Sequence, residues 1–334
     1  PLFGYLTDKK SLPAMLPFCA AMAGAGFAFV GWVPAYVLLM CTVVVIGMAS
    51  ATYHPQASKT VNFLSSDNNK AANMGIFSLG GNAGMAVGSI LMAFLLTLPG
   101  GLHNTMYFVL PGLLVFGLMM KYMPEYKRVN LEHNLKVQAA KKSGAVQKIP
   151  YGGLALVLFF IFMRSTIHTG LSTYLPLFFI NFRNAEPAFA SMLVSCFLLG
   201  GVAGTYVGAV LSDRLGARRI ILGSVLFSIP AIWLIANVTH PAAVLAAVVL
   251  AGFSIIGSFA TTTILAQTML PNNVGMAAGL TIGFSVGMGG FGVTILGFLA
   301  DNYGLPFVMN LMTVLPVIAT LTAFKIPVPP QMQK

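Results

Sequence analysis

The sequence predicts an all-α membrane protein with many spanning helices. Of its 334 residues, 57% are hydrophobic and only 7% are charged, and its mean hydropathy is +0.86. A soluble domain carries roughly 25% charged residues, so a chain of this composition cannot cover itself with a hydrated surface. Its apolar residues also occur in runs of about 20, the length that an α-helix needs to cross the hydrocarbon core of a bilayer.

Ten such runs follow one another along the chain. Four precede a long polar segment, at 12–30, 36–59, 71–98 and 104–123, and six follow it, at 151–182, 188–211, 220–236, 242–270, 274–300 and 305–324. The polar segment is rich in Lys and Glu, which predicts a solvated basic linker. We therefore expect an incomplete four-helix N-terminal bundle at 1–123, a cytoplasmic linker at 124–149 and a six-helix C-terminal bundle at 150–334.

The positive charges predict the orientation. If residue 1 is cytoplasmic, the outer loops contain only Arg183, and the inner loops contain the linker cluster with Lys9, Lys10, Lys70, Arg214, Arg218, Arg219, Lys325 and Lys334. This bias predicts a multi-pass membrane protein with both chain ends in the cytoplasm. The net charge of +11 is thus explained by topology, and we expect no nucleic-acid partner. The three cysteines lie in apolar runs, so neither a disulfide framework nor a metal site is expected.

Two polar motifs suggest an internal repeat. GAVLSDRLGARR at 208–219 is echoed by GYLTDKK at 4–10, and glycines and a phenylalanine recur at an offset of about 204, in the pairs Gly75/Gly279, Gly88/Gly292 and Phe94/Phe298. A carboxylate between two helices can accept N–H groups at the start of the next helix. We interpret the motifs as a cytoplasmic gate formed by Gly4, Asp8, Lys9, Asp213, Arg214, Gly216 and Arg218. The alternative is a simple anchor of positive charge on the inner side.

These motifs resemble the inter-helix signature of the major facilitator superfamily. More narrowly, TYHPQASK at 52–59, GGNAG at 80–84, AQTMLPNNVGMAAG at 266–279 and FSVGMGGFGVTILGFLAD at 284–301 are similar to the fosmidomycin resistance protein family. The resemblance implies a bundle of twelve helices, of which ten (4 + 6) are present here. It also implies proton-driven efflux of a drug-like substrate and a role in antibiotic resistance. Relative to the strict motif, Ala209 stands where a glycine is expected.

Arg164 is the strongest candidate site residue, because it lies about 20 Å into the apolar run at 151–182. A charge at that depth usually faces a cavity or a partner, and an arginine would attract an anionic group of a substrate. His168 follows one helical turn later on the same face and could carry a proton or simply line the path.

Three further residues are candidates for substrate binding or coupling: His54, Asn82 and Gln267. For each, a purely structural hydrogen bond remains the alternative. Close helix packing is predicted for Gly204 and Gly208, before Asp213, and for the glycine ladders at 80/84/88 and 279/283/287. His103, His133 and His240 are placed in loops and receive no role.

All seven acidic residues lie in loops or at helix ends, so no carboxylate is expected in the middle of the membrane. The resulting hypothesis is a monomeric secondary transporter in the lipid bilayer, without a cofactor, that exchanges protons for a small anionic drug by alternating access. The alternatives are an uptake carrier for a metabolite anion and a non-transporting fragment. An enzyme is not expected, since no nucleophile–base set or paired acids are visible within the apolar runs.

Overall fold

The protein folds as a succession of α-helices in a computed structural model that describes residues 2–9, 13–142 and 150–333. The first part of the chain forms α1 (Leu2–Lys9), α2 (Met15–Val30), α3 (Tyr36–Leu64), α4 (Lys70–Thr97), a 3₁₀ segment (Gly101–Phe108), α5 (Val109–Lys121) and α6 (Met123–Lys142). The second part forms α7 (Tyr151–Asn181), α8 (Pro187–Leu215), α9 (Ala217–Asn237), α10 (Pro241–Gly257), α11 (Phe259–Met269), α12 (Val274–Ala278), a π segment (Gly279–Gly283), α13 (Phe284–Tyr303) and α14 (Leu305–Lys325). Lys10 of the first motif and the end of the basic linker lie outside the described residues.

The helices confirm an all-α membrane protein, although not the count of ten spans. Within the described ranges there is no β-strand, and nine helical stretches are long and apolar enough to cross a bilayer. The predicted first span is represented by α2, which has only 16 residues. Several stretches are continuous across the breaks in regular structure, such as Gly101–Lys121, Pro241–Met269 and Val274–Tyr303.

The chain divides into two compact units that each contain a short segment from the opposite sequence half. The first unit comprises 1–65, 80–148 and 271–279, and the second comprises 66–79, 149–270 and 280–334. The short segments are the start of α4 and the stretch that includes α12, and they are separated by about the offset of the sequence repeat.

The second unit is organised around an apolar core between α7, α8, α9, α10, α13 and α14. Its largest fully buried side chains include Phe178, Phe197, Leu193 and Ile232. Because α7 contributes buried residues on all sides over most of its length, it is the central helix of this unit. A charged residue in the middle of α7 is therefore surrounded by protein.

Glycines allow α8 and α10 of the second unit to pack with almost no space between their backbones. A Cβ atom on Gly204 would lie 2.0 Å from the Phe253 carbonyl oxygen, and one on Gly208 would lie 2.1 Å from that of Gly257. This contact confirms the role expected for the glycines before Asp213. The ladder at 80/84/88 behaves differently: no described atom lies within 4 Å of a Cβ built at any of its three glycines. The close packing predicted there is not observed.

The basic linker is helical over most of its length. Helix α6 covers 123–142 and packs against α3 in the first unit, with Met123, Val129 and Asn130 buried. Its charged residues pair with one another on the exposed side, where Arg128 contacts Glu125 and Glu132. One side of the linker is therefore fixed to the helical bundle, whereas a fully solvated segment was expected.

Candidate functional site

Arg164 lies at the middle of α7 and is only 4% exposed. Its guanidinium donates two hydrogen bonds, to the hydroxyl groups of Thr262 and Ser285, both at 3.4 Å. Its Cζ atom lies 5.1 Å from the ring centroid of Phe259. The Ser285 hydroxyl also contacts that of Ser165, the residue after Arg164. We call these five residues the Arg164 cluster.

The partners of Arg164 come from helices that are irregular nearby. Thr262 lies in the first turn of α11, directly after the break that separates α10 from α11 at Ser258. Ser285 follows the π segment Gly279–Gly283. Breaks and π segments within spanning helices are frequent at binding sites, because they free backbone groups and change the direction of side chains. Neither irregularity was predicted from the sequence.

The Arg164 cluster contains a charge but no counter-charge. All seven acidic residues of the chain lie in the described ranges, and none of them forms an ion pair with Arg164. A buried guanidinium without a carboxylate partner costs several kcal/mol. Two long hydrogen bonds to neutral hydroxyls offset little of that cost, and most of the five guanidinium N–H donors remain available. An anion that reached this cluster would therefore be bound favourably.

Additional polar groups without partners are buried on the same helices. The hydroxyls of Thr166 on α7, Ser258 at the break and Thr261 on α11 have no hydrogen-bond partner among the described residues. Each unsatisfied group costs about 1–3 kcal/mol. These hydroxyls give the region spare hydrogen-bonding capacity beyond that of Arg164.

His168 and Gln267 belong to the same unit as Arg164. His168 is half-buried one turn further along α7, and its ring stacks on Phe197 at a centroid distance of 5.6 Å. Gln267 is 1% exposed and lies five positions after Thr262, near the end of α11. The structure therefore gathers three of the five predicted residues into one unit.

The other two predicted residues, His54 and Asn82, lie in the first unit. His54 is exposed beside Tyr53 on α3, and Asn82 is half-buried on α4. Two residues after His54, the side chain of Gln56 is fully buried, and neither its amide nitrogen nor its oxygen has a partner among the described residues. Gln56 belongs to the motif TYHPQASK but was not among the predicted site residues, although an amide inside a spanning helix is a signal visible in the sequence.

Asp8, from the first gate motif, caps α12. Its two carboxylate oxygens accept the backbone N–H groups of Gly275 and Met276 at 2.9 and 2.7 Å. Lys59 of α3 forms a 3.0 Å ion pair with Asp8 and also donates to the carbonyl oxygen of Thr7. We call these five residues the Asp8 junction. It is tightly closed, because a Cβ on Gly4 would lie 2.2 Å from the Gly275 carbonyl oxygen.

Asp213, in the second motif, makes the equivalent contact in the second unit. Its oxygens accept the N–H groups of Ala71 and Ala72, at the start of α4, at 3.2 and 2.8 Å. The expectation that each carboxylate would cap the next helix in sequence was wrong. The first capped N–H groups, those of Gly275 and Ala71, lie 267 and 142 residues away along the chain. Since Ala71 and Ala72 precede Gly275 and Met276 by 204 positions, the contacts agree with the sequence repeat.

The basic residues of the two motifs that the structure describes lie at the surface. Lys9 and Arg214 are exposed. Gly216 has φ = 91°, a conformation that favours glycine, and it forms the turn between α8 and α9. Arg218 is exposed and donates to the carbonyl oxygen of Ile326, just after α14, at 3.0 Å.

Taken together, these features define a polytopic helical membrane protein with an internal repeat, a buried cation and reciprocal carboxylate caps. The family model of the Major Facilitator Superfamily matches residues 1–188 and again 154–334. The chain belongs to this superfamily of membrane transporters, as its motifs predicted.

Two relatives match almost the entire chain. It is 29% identical over 331 residues to the uncharacterized MFS-type transporter YfnC of Bacillus subtilis (strain 168), which covers 98% of this chain and 80% of the relative. It is 27% identical over 329 residues to the fosmidomycin resistance protein of Escherichia coli (strain K12), which covers 97% of this chain and 79% of the relative.

Solved structures of the superfamily share the fold. The fucose:proton symporter FucP of E. coli has a TM-score of 0.75 at 13% identity, with 98% of this chain and 87% of that chain covered. The human organic anion transporter MFSD10 (TETRAN) also has a TM-score of 0.75, at 14% identity, with 97% and 79% covered.

Proposed function

We propose that the protein is a secondary-active transporter that exports a small anionic compound, and that Arg164 binds the anion. The observation that carries this proposal is a guanidinium held in the middle of a spanning helix with hydroxyl partners and no carboxylate. A phosphonate or phosphate group suits such a site, because its oxygens can accept several hydrogen bonds from one guanidinium.

Export rather than uptake is favoured by the relative that is named for fosmidomycin resistance, and the phosphonate drug fosmidomycin is therefore the first compound to test.

We further propose that a proton gradient drives the exchange without a cofactor, and that His168 or His54 carries the proton. Neither residue pairs with an acid among the described ion pairs. In this proposal α2 also spans the membrane, in addition to the nine longer helical stretches, and the protein transports as a monomer. It lies in the bacterial inner membrane, and its motif loops and both chain ends face the cytoplasm.

The two reciprocal caps support alternating access as the mechanism. Each cap joins a carboxylate from one sequence half to the start of a helix from the other half. We propose that they form and break as the two halves move during transport, which makes them the cytoplasmic gate. Asn82 and Gln267 are proposed to line the path of the substrate.

The test compares wild type with Arg164→Gln and Arg164→Lys in an E. coli strain that is sensitive to fosmidomycin. We expect Arg164→Gln to abolish the resistance that wild type confers, and Arg164→Lys to retain part of it, since lysine keeps the charge but loses the planar fork. The loss of a charge-assisted hydrogen bond predicts a roughly 10- to 100-fold weaker apparent affinity in vesicle transport. Arg183→Gln, which removes the outer-loop arginine at the end of α7, is the control and should transport normally.

Thermal unfolding in detergent separates binding from structure. Because Arg164 is buried without a counter-ion, Arg164→Gln should unfold at the same temperature as wild type or higher. A marked loss of stability, together with retained resistance in the folded fraction, would contradict the proposal.

The second candidate is an uptake carrier for a metabolite anion, which the same buried arginine would serve. Proton-driven accumulation of labelled fosmidomycin in inside-out vesicles supports export. Accumulation of an organophosphate or carboxylate in right-side-out vesicles, without any fosmidomycin transport, would support uptake instead.

A further inference from the structure

His133, on α6 of the linker, contacts two of the elements that form the Asp8 junction. Its imidazole ring stacks on the ring of Phe63 at a centroid distance of 3.9 Å and an interplanar angle of 20°. Its ring also lies close enough to Pro271, three residues before α12, for a hydrogen bond to the carbonyl oxygen of that residue. All of these residues belong to the first unit.

Each of the two contacts leads directly to the Asp8 junction. Phe63 lies one turn after Lys59 on α3, and the Lys59 ammonium is 5.6 Å from the Phe63 ring centroid. Pro271 begins the turn that orients the N–H groups of Gly275 and Met276 toward Asp8. The imidazole of His133 is therefore in contact with α3, which carries Lys59, and with the turn that precedes the N–H donors of α12.

We propose that His133 is a positioning residue that keeps the Asp8 junction closed, so that the linker helix α6 acts as a latch on it. A neutral imidazole can make both contacts without adding a cation beside Lys59. His133 acts through Lys59 and the α12 turn and touches no part of the Arg164 cluster. When the bond to Pro271 is lost, the turn before α12 is free to move and the carboxylate of Asp8 loses aligned donors.

The groups around His133 are consistent with a neutral latch. Lys59 of α3 and Lys136 of α6 face it with positive charge, Asp8 of α1 faces it with negative charge, and the turn before α12 presents a carbonyl oxygen. Burial and the two lysines outweigh Asp8. The imidazole of His133 is thus kept neutral while it stacks on Phe63.

The experiment measures opening of the junction by the labelling rate of Thr7→Cys. Thr7 is 2% exposed beside Asp8. The background lacks Cys19, Cys41 and Cys196, and the purified protein is treated in detergent with a bulky maleimide. We expect His133→Ala to label about two- to tenfold faster than the parent, the range expected when one neutral hydrogen bond is lost from an opening equilibrium.

Two conservative variants separate the contribution of stacking on Phe63 from that of the hydrogen bond to Pro271. His133→Phe keeps the stacking on Phe63 but cannot donate to Pro271, and His133→Gln keeps a donor but loses the aromatic ring. Both should label at rates between those of the parent and His133→Ala. His240→Ala is the matched control, because His240 is exposed and makes no side-chain cap at the start of α10. It should label at the parental rate.

Ala190→Cys, at a fully buried position of α8 in the second unit, reports on global unfolding. Its labelling should stay low in every His133 variant. Labelling of Thr7→Cys at the parental rate in His133→Ala would overturn the proposal. So would a rise at Ala190→Cys in all three variants, because His133 would then support the whole fold rather than this junction. No transported compound is used, so the outcome is independent of the proposed function.

Discussion

At the level of single residues, the ion pair between Asp8 and Lys59 shows how a charge is accommodated inside this bundle. Their side chains are 6% and 3% exposed, and each has hydrogen bonds in addition to the pair. Asp8 receives two backbone N–H groups, and Lys59 donates to a carbonyl oxygen. Buried ions need such additional partners, because desolvation otherwise exceeds the attraction between them.

Removal of only one member of this pair should be costly. Asp8→Asn leaves the Lys59 ammonium buried without a counter-charge, which predicts a loss of roughly 3–5 kcal/mol. Asp8→Asn combined with Lys59→Met should recover part of that loss, since the unpaired charge is then gone. Thermal unfolding of the two single variants and the double variant checks this. Strictly additive losses would show that the two side chains are not coupled.

The sequence identified some of these residues and missed others for physical reasons. Arg164 could be recognised because a charge within a long apolar run is conspicuous. Lys59 lies at the end of its run, where it could be taken for an ordinary helix end. His133 lies in the polar linker, and its contacts depend on how α6 packs against α3, which no local pattern encodes.

At the level of helices, glycine has two different roles in this protein. On α8, glycines allow direct backbone contact with α10, whereas the glycines at 80, 84 and 88 of α4 lie where no described atom is near. Spacing alone predicted packing in both places. The difference depends on which helix is adjacent, and this is a property of the tertiary structure.

Matched glycine-to-alanine substitutions test this difference. Gly204→Ala places a Cβ atom 2.0 Å from the Phe253 carbonyl oxygen, so α8 and α10 must separate and the protein should be destabilised. Gly84→Ala meets no atom within 4 Å and should stabilise α4 by about 0.5–1 kcal/mol, because alanine is the better helix former. The two unfolding temperatures should move in opposite directions. Equal changes would contradict the packing described for α8.

The irregular helix segments were not predicted, although one of them has a local signal in the sequence. Neither the break at Ser258 nor the π segment at Gly279–Gly283 contains a proline, but Gly257 and Ser258 form a Gly/Ser pair, which is another common site of a kink. The spans that contain the two irregular segments were predicted correctly as apolar runs.

At the level of the whole molecule, the sequence predicted where the repeated motifs lie along the chain, but it did not predict which helices their carboxylates contact. The offset of about 204 residues located both motifs and the equivalent glycines. It did not show that Asp8 caps α12 and that Asp213 caps α4, which begins at the equivalent position of the repeat. This exchange requires the three-dimensional arrangement, since the partners are 142 and 267 residues apart.

The pH dependence of global stability should reflect His133. Burial, followed by the charge of Lys59, lowers the pKa of His133 from 6.5 to about 4. The unfolded chain therefore binds a proton at this site more readily, so stability is complete above pH 6.5 and falls as the pH decreases toward 4. Wild type should lose more thermal stability between pH 7.5 and 5 than His133→Gln does. Parallel curves would show that His133 titrates equally in both states.

The choice of hydroxyl groups around Arg164 has a consequence for turnover. A carboxylate partner would accept from the guanidinium permanently and would compete with every incoming anion. A hydroxyl can accept from the arginine while the protein is empty and rotate to donate to a cargo when one arrives. In the proposed transport cycle, this exchange brings the loaded and empty forms closer in energy, as a carrier needs if it releases its cargo on one side of the membrane and returns without it.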